Sequence, residues 1–329
     1  MIVLGIEGTA HTMGVGIVEN TNKVLSDVRR TYQPPEGKGI HPRDAAQFLG
    51  ESMHVVVEEA LSKAGISFNE IDLISFSQGP GLGPCLRTAA TGARVLALKH
   101  KKPILGVNHC VAHIAVGKII SGFKNPLVLY VSGANTQILE LKEGRYRIFG
   151  ETLDVGIGNM LDKFGRETGL KHPAGPKIET LARQGKNYVE LPYTVKGTDL
   201  SFSGVLTNAV NKFNSGIPLE DICYSLQETS FAMLCEVTER ALAHLKADEV
   251  ILTGGVGNNS RLCEMLSLMA VEHDAKFSVP KGFCSDNGTM IAMLAGLEYE
   301  NGVRMRFEDT VVKPNQRTDD VEIFCRFMQ

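Results

Sequence analysis

An apolar run that breaks at a glycine turn and resumes as a second apolar run occurs twice in this chain, about 125 positions apart. The first covers residues 2–18, breaking at Gly8-Thr9 and resuming at Gly14-Val15-Gly16-Ile17-Val18. The second passes through Leu127-Val128-Leu129-Tyr130-Val131, turns at Ser132-Gly133-Ala134-Asn135 and returns over residues 136–141. Both read as strand, tight turn, strand. A hairpin repeated at that distance implies a duplicated unit, and 329 residues accommodate two cores at roughly 100–200 residues each. We therefore expect a first lobe over 1–125, with a terminal segment of about 303–329 packing back on it, and a second lobe over 126–302. Further strands are expected at 71–77 and 249–253, each leading into a glycine-rich turn. Helical spacing of apolar residues marks 55–64, 87–100, 226–245 and 290–299. Strands alternating with helices place the chain in the α/β class.

A phosphate is held by several backbone N–H groups converging on it, and only glycine or small residues let the main chain come that close. Four turns have this composition: Gly8-Thr9, Gly79-Pro80-Gly81-Leu82-Gly83-Pro84, Ser132-Gly133-Ala134 and Gly254-Gly255-Val256-Gly257-Asn258-Asn259. Each alone is ordinary hairpin chemistry, but the set is more specific. Two equivalent hairpins followed late in the chain by strand-Gly-Gly is the arrangement of the actin, Hsp70 and sugar-kinase superfamily. In that two-lobed fold the hairpins clamp phosphates from opposite lobes and the late turn holds an adenosine. A Walker phosphate loop is absent from the sequence. Gly156-Ile157-Gly158-Asn159 predicts a helix start facing the cleft, either an anion site or an end capped by Asn159.

Asn108-His109-Cys110-Val111-Ala112-His113 places two imidazoles at i and i+4, one above the other on a helix. That is ligand spacing, although two half-buried histidines on a helix face would look the same. A zinc protease needs a general-base Glu directly after the first histidine, and Cys110 stands there. Ser285-Asp286-Asn287-Gly288, just ahead of the 290–299 helix, can supply a carboxylate, with a plain helix cap as the alternative use of Asp286. Two imidazoles, one carboxylate and the phenol of Tyr130 would suit zinc or iron better than magnesium or calcium.

The seven cysteines show no Cys-x-x-Cys spacing, which argues against a zinc knuckle and against a disulfide framework. The opening residues carry no basic segment of a signal peptide, and no apolar run approaches the roughly 18 residues of a spanning helix. A cytoplasmic protein without membrane attachment is expected. With 34 basic against 37 acidic side chains the net charge is −3, which denies the chain a global pull on RNA. Local basic candidates are Arg29-Arg30 and Lys99-His100-Lys101-Lys102, either of which can equally be a solvated surface.

These motifs resemble the universal tRNA N6-threonylcarbamoyladenosine transferase family, TsaD in bacteria and the catalytic subunit of the KEOPS complex in archaea and eukaryotes. The resemblance runs over nearly the whole chain. It includes Gly5-Ile6-Glu7-Gly8-Thr9-Ala10-His11-Thr12, Gly79-Pro80-Gly81-Leu82-Gly83, the segment from Pro103 to His113, Asp199-Leu200-Ser201-Phe202-Ser203-Gly204, Gly254-Gly255-Val256 and Phe283-Cys284-Ser285-Asp286-Asn287-Gly288. Asn108-His109-Cys110 and Tyr130-Val131-Ser132-Gly133 are closer to the archaeal and eukaryotic branch. The resemblance implies that His109, His113, Tyr130 and Asp286 hold one transition metal, iron or zinc. It also implies that Tyr130, Val131, Ser132, Gly133, Ala134, Asp162, Gly175, Glu179 and Asn259 line a pocket for ATP or threonylcarbamoyl-AMP. Ala134 replaces the family's usual second glycine, and the run Gly257-Asn258-Asn259-Ser260 leaves both asparagines open as the contact residue.

The implied reaction moves the threonylcarbamoyl group from threonylcarbamoyl-AMP to N6 of adenine 37 in tRNAs reading ANN codons, forming t6A. Implied partners are tRNA, the enzyme that makes the adenylate, and KEOPS-type subunits: a small Bud-type atypical kinase, a Pcc-type dimerisation subunit and a Cgi-type subunit. The rival readings are an ATP-dependent small-molecule kinase of the same fold, a non-catalytic ATP-driven binding module and, with the missing Glu against it, a metalloprotease.

Overall fold

The protein is described by a computed structural model over residues 1–323. Residues 324–329 of the expected returning segment lie outside the described residues. The first sheet contains β1 (Ile2–Glu7), β2 (Thr12–Glu19), β3 (Lys23–Thr31), β4 (Leu73–Gly79) and β5 (Ile104–Asn108) in the order β3-β2-β1-β4-β5. Helices α1 (Pro42–Ala64) and α2 (Gly83–His100) lie between β3 and β5 in sequence, and α3 (His109–Ser121) follows. The second sheet contains β6 (Leu127–Val131), β7 (Thr136–Lys142), β8 (Arg145–Glu151), β11 (Glu249–Thr253) and β12 (Lys276–Ser278), ordered β12-β11-β6-β7-β8. Between β8 and β11 come α4 (Ile157–Glu167), α5 (Gly175–Ala182), the short pair β9 (Val195–Lys196) and β10 (Asp199–Leu200), α6 (Ser203–Asn214) and α7 (Leu219–Leu245). Helix α8 (Ser260–Glu272) precedes β12, and α9 (Gly288–Glu300) closes the helical series.

The two sheets share one plan. An antiparallel three-strand meander, β1-β2-β3 or β6-β7-β8, is extended from its first strand by two parallel strands, β4-β5 or β11-β12. This is the duplication that the repeated hairpin predicts, and the two-lobed α/β fold follows from it. Parallel strands are buried on both faces, which is why 127–131 and 250–252 are continuously apolar instead of alternating.

Three cores result. One lies between the first sheet and α1 and α2. A second lies between the other sheet and helices α4 to α8. The third is central: Val3, Val18 and Leu105 of the first sheet and Val128, Tyr130 and Leu139 of the second enclose α3 and α9. Helix α9 is buried almost all round, as its uninterrupted apolar sequence requires. It belongs by sequence to the stretch expected in lobe two, yet it packs its backbone on β1 and β2. A Cβ on Gly288 would stand 2.2 Å from the Gly16 nitrogen and 2.5 Å from the Gly5 oxygen. The returning segment bridges the lobes. Gln78 Nε2 donates to the carbonyls of Asp309 and Val311 on the first lobe, whereas Thr318 Oγ1 donates to Gln137 and the Ile323 amide to Gly144 on the second.

Several helices start earlier than apolar spacing alone indicates. Pro42 and Pro84 occupy the first turns of α1 and α2, where a missing N–H costs nothing, and Glu220 and Asp221 fill the first turn of α7. Gly83-Pro84 is thus the beginning of α2 and not part of the preceding turn.

Because no side chain fits between α9 and the two strands, Gly288→Ala should lower unfolding stability by about 2–3 kcal/mol, the cost of overpacking a closed contact. Chemical denaturation of the variant beside the wild type measures this; a midpoint within error of wild type would show that α9 can move off the sheet at no cost.

Candidate metal centre

In both sheets the parallel strands point their carboxyl ends at the cleft between the lobes, where α/β sheets bind ligands. Glu7 is the last residue of β1, Asn108 the last of β5, and Tyr130-Val131 close β6. The Asn108 side chain caps α3 by accepting from the Val111 amide, so the helix starts with His109 and carries His113 one turn on. Helix α9 starts opposite. Its cap is Asn287, whose Oδ1 accepts from the Met290 amide at 2.8 Å. Asp286 is therefore not the cap, and its carboxylate is free to face the histidines.

His109 Nε2 lies 3.5 Å and His113 Nε2 3.3 Å from Asp286 Oδ1, and the three ligand atoms all fall within 4.8 Å of one another. A charge-assisted N–H···O bond would close to about 2.7–2.9 Å. These longer spacings leave room for an ion with bonds of about 2.0–2.1 Å, which would set its ligand atoms roughly 3.3 Å apart around a tetrahedral centre. The Tyr130 ring centroid is 5.4 Å from that of His113, and its hydroxyl is buried without a hydrogen-bond partner. Two imidazole nitrogens, a carboxylate and an orphaned phenol form a donor set that fits a borderline transition metal.

Electrostatics support the same reading. Burial opposes a charge on Asp286, but the hydrogen bond from His113 and the charges of His109, His113 and His11 hold its carboxyl well below the usual range. Burial lowers His113. Burial also works against an imidazolium at His109, yet Glu7, by charge and hydrogen bond, and Asp286 hold it up to about 9.

Glu7 escapes sequence reasoning based on spacing. It is fully buried and accepts from His109 Nδ1 at 2.9 Å, which turns Nε2 toward Asp286. Such a carboxylate fixes the ring and raises its basicity toward a metal. The available signal is an acidic residue ending an otherwise apolar strand. The same carboxylate accepts from the Thr9 amide at 2.8 Å and from its hydroxyl, while the Gly8 amide donates to Ser77 Oγ at 3.1 Å. In the glycine turn after β4, Gly81 and Leu82 donate to Pro314 and Thr9 carbonyls. The Gly8 and Thr9 amides of the first hairpin are therefore taken, the second of them by Glu7, whereas the Ala10 and His11 amides bond to no described residue. Across the cleft, the Gly133 and Ala134 amides bond to no described residue. Both residues are exposed.

The helix start at 157 offers no anion site either. The Ile157, Gly158 and Asn159 amides donate to Thr136 Oγ1, Ser132 O and Gly133 O, so the turn at 132–136 consumes them. Gly156, and not Asn159, is the cap. Asp162 accepts from the Ala174 amide and faces His172 Nδ1 at 3.4 Å. Gly175 opens α5. Glu179 accepts from the Ser260 amide and hydroxyl and from Arg183, which ties α5 to α8. Asn259 is buried, caps α8 through Oδ1 and donates to Gln227, whereas Asn258 is exposed and bonds Gly255 and Ser285. Sequence reasoning also passes over His11 and His172, whose rings meet edge-on at 5.3 Å beside Asp162. Neither lies at ligand spacing from another histidine, so only the fold reveals the pair. Cys110 is buried, and burial pushes its thiol up to about 11, so it is no nucleophile.

A profile of the TsaD family, described as tRNA N6-adenosine threonylcarbamoyltransferase, matches residues 23–293. The tRNA N6-adenosine threonylcarbamoyltransferase of Thermococcus kodakarensis is 56% identical over 325 residues, covering 98% of this chain and 99% of the relative. This chain belongs to the TsaD family. A probable bifunctional tRNA threonylcarbamoyladenosine biosynthesis protein of Methanobrevibacter smithii is 55% identical over 98% of this TsaD-family chain and 60% of its own length. Among solved structures, HypF from T. kodakarensis superposes with a TM-score of 0.64 at 16% identity, covering 94% of this chain and 49% of HypF. The activator of 2-hydroxyisocaproyl-CoA dehydratase from Clostridium difficile gives 0.53 at 12% identity, over 93% and 99%. At such identities the shared feature is the two-lobed actin/Hsp70/sugar-kinase fold. Among the described residues no helix is long and apolar enough to cross a membrane.

Two substitutions separate the roles in this TsaD-family centre. Asp286→Asn should leave thermal stability near wild type, since Asn287 does the capping, while bound metal falls below half an equivalent. Glu7→Gln should retain the ligands but weaken metal affinity about 10–100-fold, the usual effect of losing the carboxylate behind a ligating histidine. Metal titrations with a competing chelator read both; an Asp286→Asn protein with full metal content would remove the carboxylate from the donor set.

Proposed function

We propose that this chain transfers the threonylcarbamoyl group from threonylcarbamoyl-AMP to N6 of adenine 37 in tRNAs reading ANN codons, forming t6A. The observation that carries the reading is the His109–His113–Asp286 cradle, set beside a hairpin whose Gly133 and Ala134 amides stay open, in a chain of the TsaD family. His109, His113, Asp286 and Tyr130 would hold iron or zinc. When bound, such an ion supplies Lewis acidity and fixed positive charge at the acyl end of the adenylate.

The remaining work falls to the chain itself. Gly133 and Ala134 present amides to the phosphate that leaves as AMP, and charge developing there is stabilised by donors already in place. Asp162, Gly175, Glu179 and the 258–259 turn border the adenosine side of the pocket. The amine N6 forms the new bond to the carbamoyl carbon as the bond from that carbon to the phosphate oxygen breaks, AMP departs with the bonding pair and the amine releases one proton to solvent, so no covalent enzyme intermediate is needed. The neutral, buried Cys110 is consistent with that. Glu7 holds the His109 ring throughout. A phosphoryl-transfer reading is less well supported, because the first hairpin's amides at Gly8 and Thr9 are already taken. ATP, the adenylate-forming enzyme and the KEOPS-type Bud, Pcc and Cgi subunits complete the proposed system, working in the cytoplasm.

The test is mass spectrometry of tRNA nucleosides after incubation with threonine, bicarbonate, ATP, the adenylate-forming enzyme and the partner subunits. The wild-type chain should yield t6A, and His109→Ala and His113→Ala should each lower the yield at least about 100-fold, together with bound metal. Full t6A yield from both metal-depleted variants would refute the metal-centred reading.

A further inference from the structure

A cavity of about 530 Å³ opens between the 33–39 loop of the first lobe and the α4–α5 corner of the second. Its charged walls are Lys38, Arg166, Lys171 and Lys177 against Glu36 and Asp162. Both acids are already engaged. Glu36 pairs with Lys171 at 2.6 Å across the lobes, and Asp162 faces His172 at 3.4 Å. Among the described residues Lys38 and Arg166 have no ion-pair partner, and Lys177 donates only to the Lys171 carbonyl. Arg166 reaches across the mouth: a Cβ on Gly39 would stand 3.3 Å from its Nη1.

In a chain of net charge −3, four cations against two carboxylates around one cavity are a local surplus of two, and such a surplus attracts polyanions. His172 in its wall meets His11 edge-on at 5.3 Å, which sets the cavity beside the first hairpin. The open Gly133 and Ala134 amides serve the phosphate of the small substrate, and of the residues assigned to that substrate only Asp162 lines this cavity. Its loop wall contains Pro34, Pro35, Gly37 and Gly39, whose short side chains leave the backbone accessible to a large ligand.

Building on the proposed transfer, we propose that this cavity receives the sugar-phosphate backbone of the RNA beside the target adenosine, with Lys38, Arg166 and Lys177 pairing its phosphates. The phosphate could instead belong to the adenylate, and the experiment distinguishes the two. Binding of a fluorescein-labelled anticodon stem-loop RNA to the full chain is followed by anisotropy over a salt series, in parallel with binding of a fluorescent ATP analogue. Lys38→Glu and Arg166→Glu should each weaken RNA binding about tenfold or more at low salt. Each should also reduce the slope of log affinity against log salt by about one, as loss of a phosphate contact does. Arg166→Lys should stay within about threefold of wild type, Lys99→Glu on the separate basic run should change nothing, and ATP-analogue binding should hold in every variant. Unchanged RNA affinity in both charge reversals would overturn the proposal, as would loss of ATP-analogue binding with RNA binding intact. Because the readout is binding, a wild-type chain that binds this RNA but forms no t6A would count against the proposed transfer and leave the docking site standing.

Discussion

Everything at the cleft depends on the approach of α9 to β1 and β2 with no side chain between them. Gly5, Gly16 and Gly288 let a helix backbone lie on two strands at a separation that any Cβ would forbid. That contact fixes where α9 begins, and hence where Asn287 caps it and where Asp286 is left pointing. The helix is set by the first sheet but shares its core with the second, so the position of one carboxylate is determined by both lobes. Cores as dense as organic crystals transmit such constraints, because there is no slack to absorb a shift.

The cradle has a second level of order in Glu7. One carboxylate orients His109, satisfies the hairpin at Thr9 and is itself fully buried, so the hairpin and the metal centre stabilise each other. A buried acid left without these partners would be costly, and here every contact is a donor. The duplicated hairpins have therefore diverged in use. The first has turned inward to support a ligand, and the second has kept its open turn.

The sequence was most legible where chemistry and period coincide. The repeated hairpin announced both sheets, and the i,i+4 histidines announced α3, because each pattern is local and strict. The strands 2–7, 127–131 and 249–253 could be read from their apolar runs. Strands β3 and β8 were less visible: their residues alternate between buried and exposed and carry Arg29, Arg30, Arg145 and Arg147. Contacts between residues distant in sequence were not legible at all. Nothing local says that Glu7 meets His109, that His11 meets His172, or that Asn287 takes the cap so that Asp286 need not. The helix start at 157, which the sequence left open between an anion site and a capped end, shows the converse limit. A glycine-rich helix start looks the same whether its amides face a ligand or a neighbouring turn, and only the packing of Gly156 and Gly158 on residues 132–134 decides it.

The capture of the Gly8 and Thr9 amides in the first hairpin bears on turnover. Where both lobes grip a phosphate, product leaves only after the lobes separate, and that opening often limits the rate of such enzymes. In the proposed transfer, a phosphate held chiefly by Gly133 and Ala134 would be released by one lobe letting go. In that proposal the segment 309–323, which stitches the lobes together, would not have to open for the small product to leave.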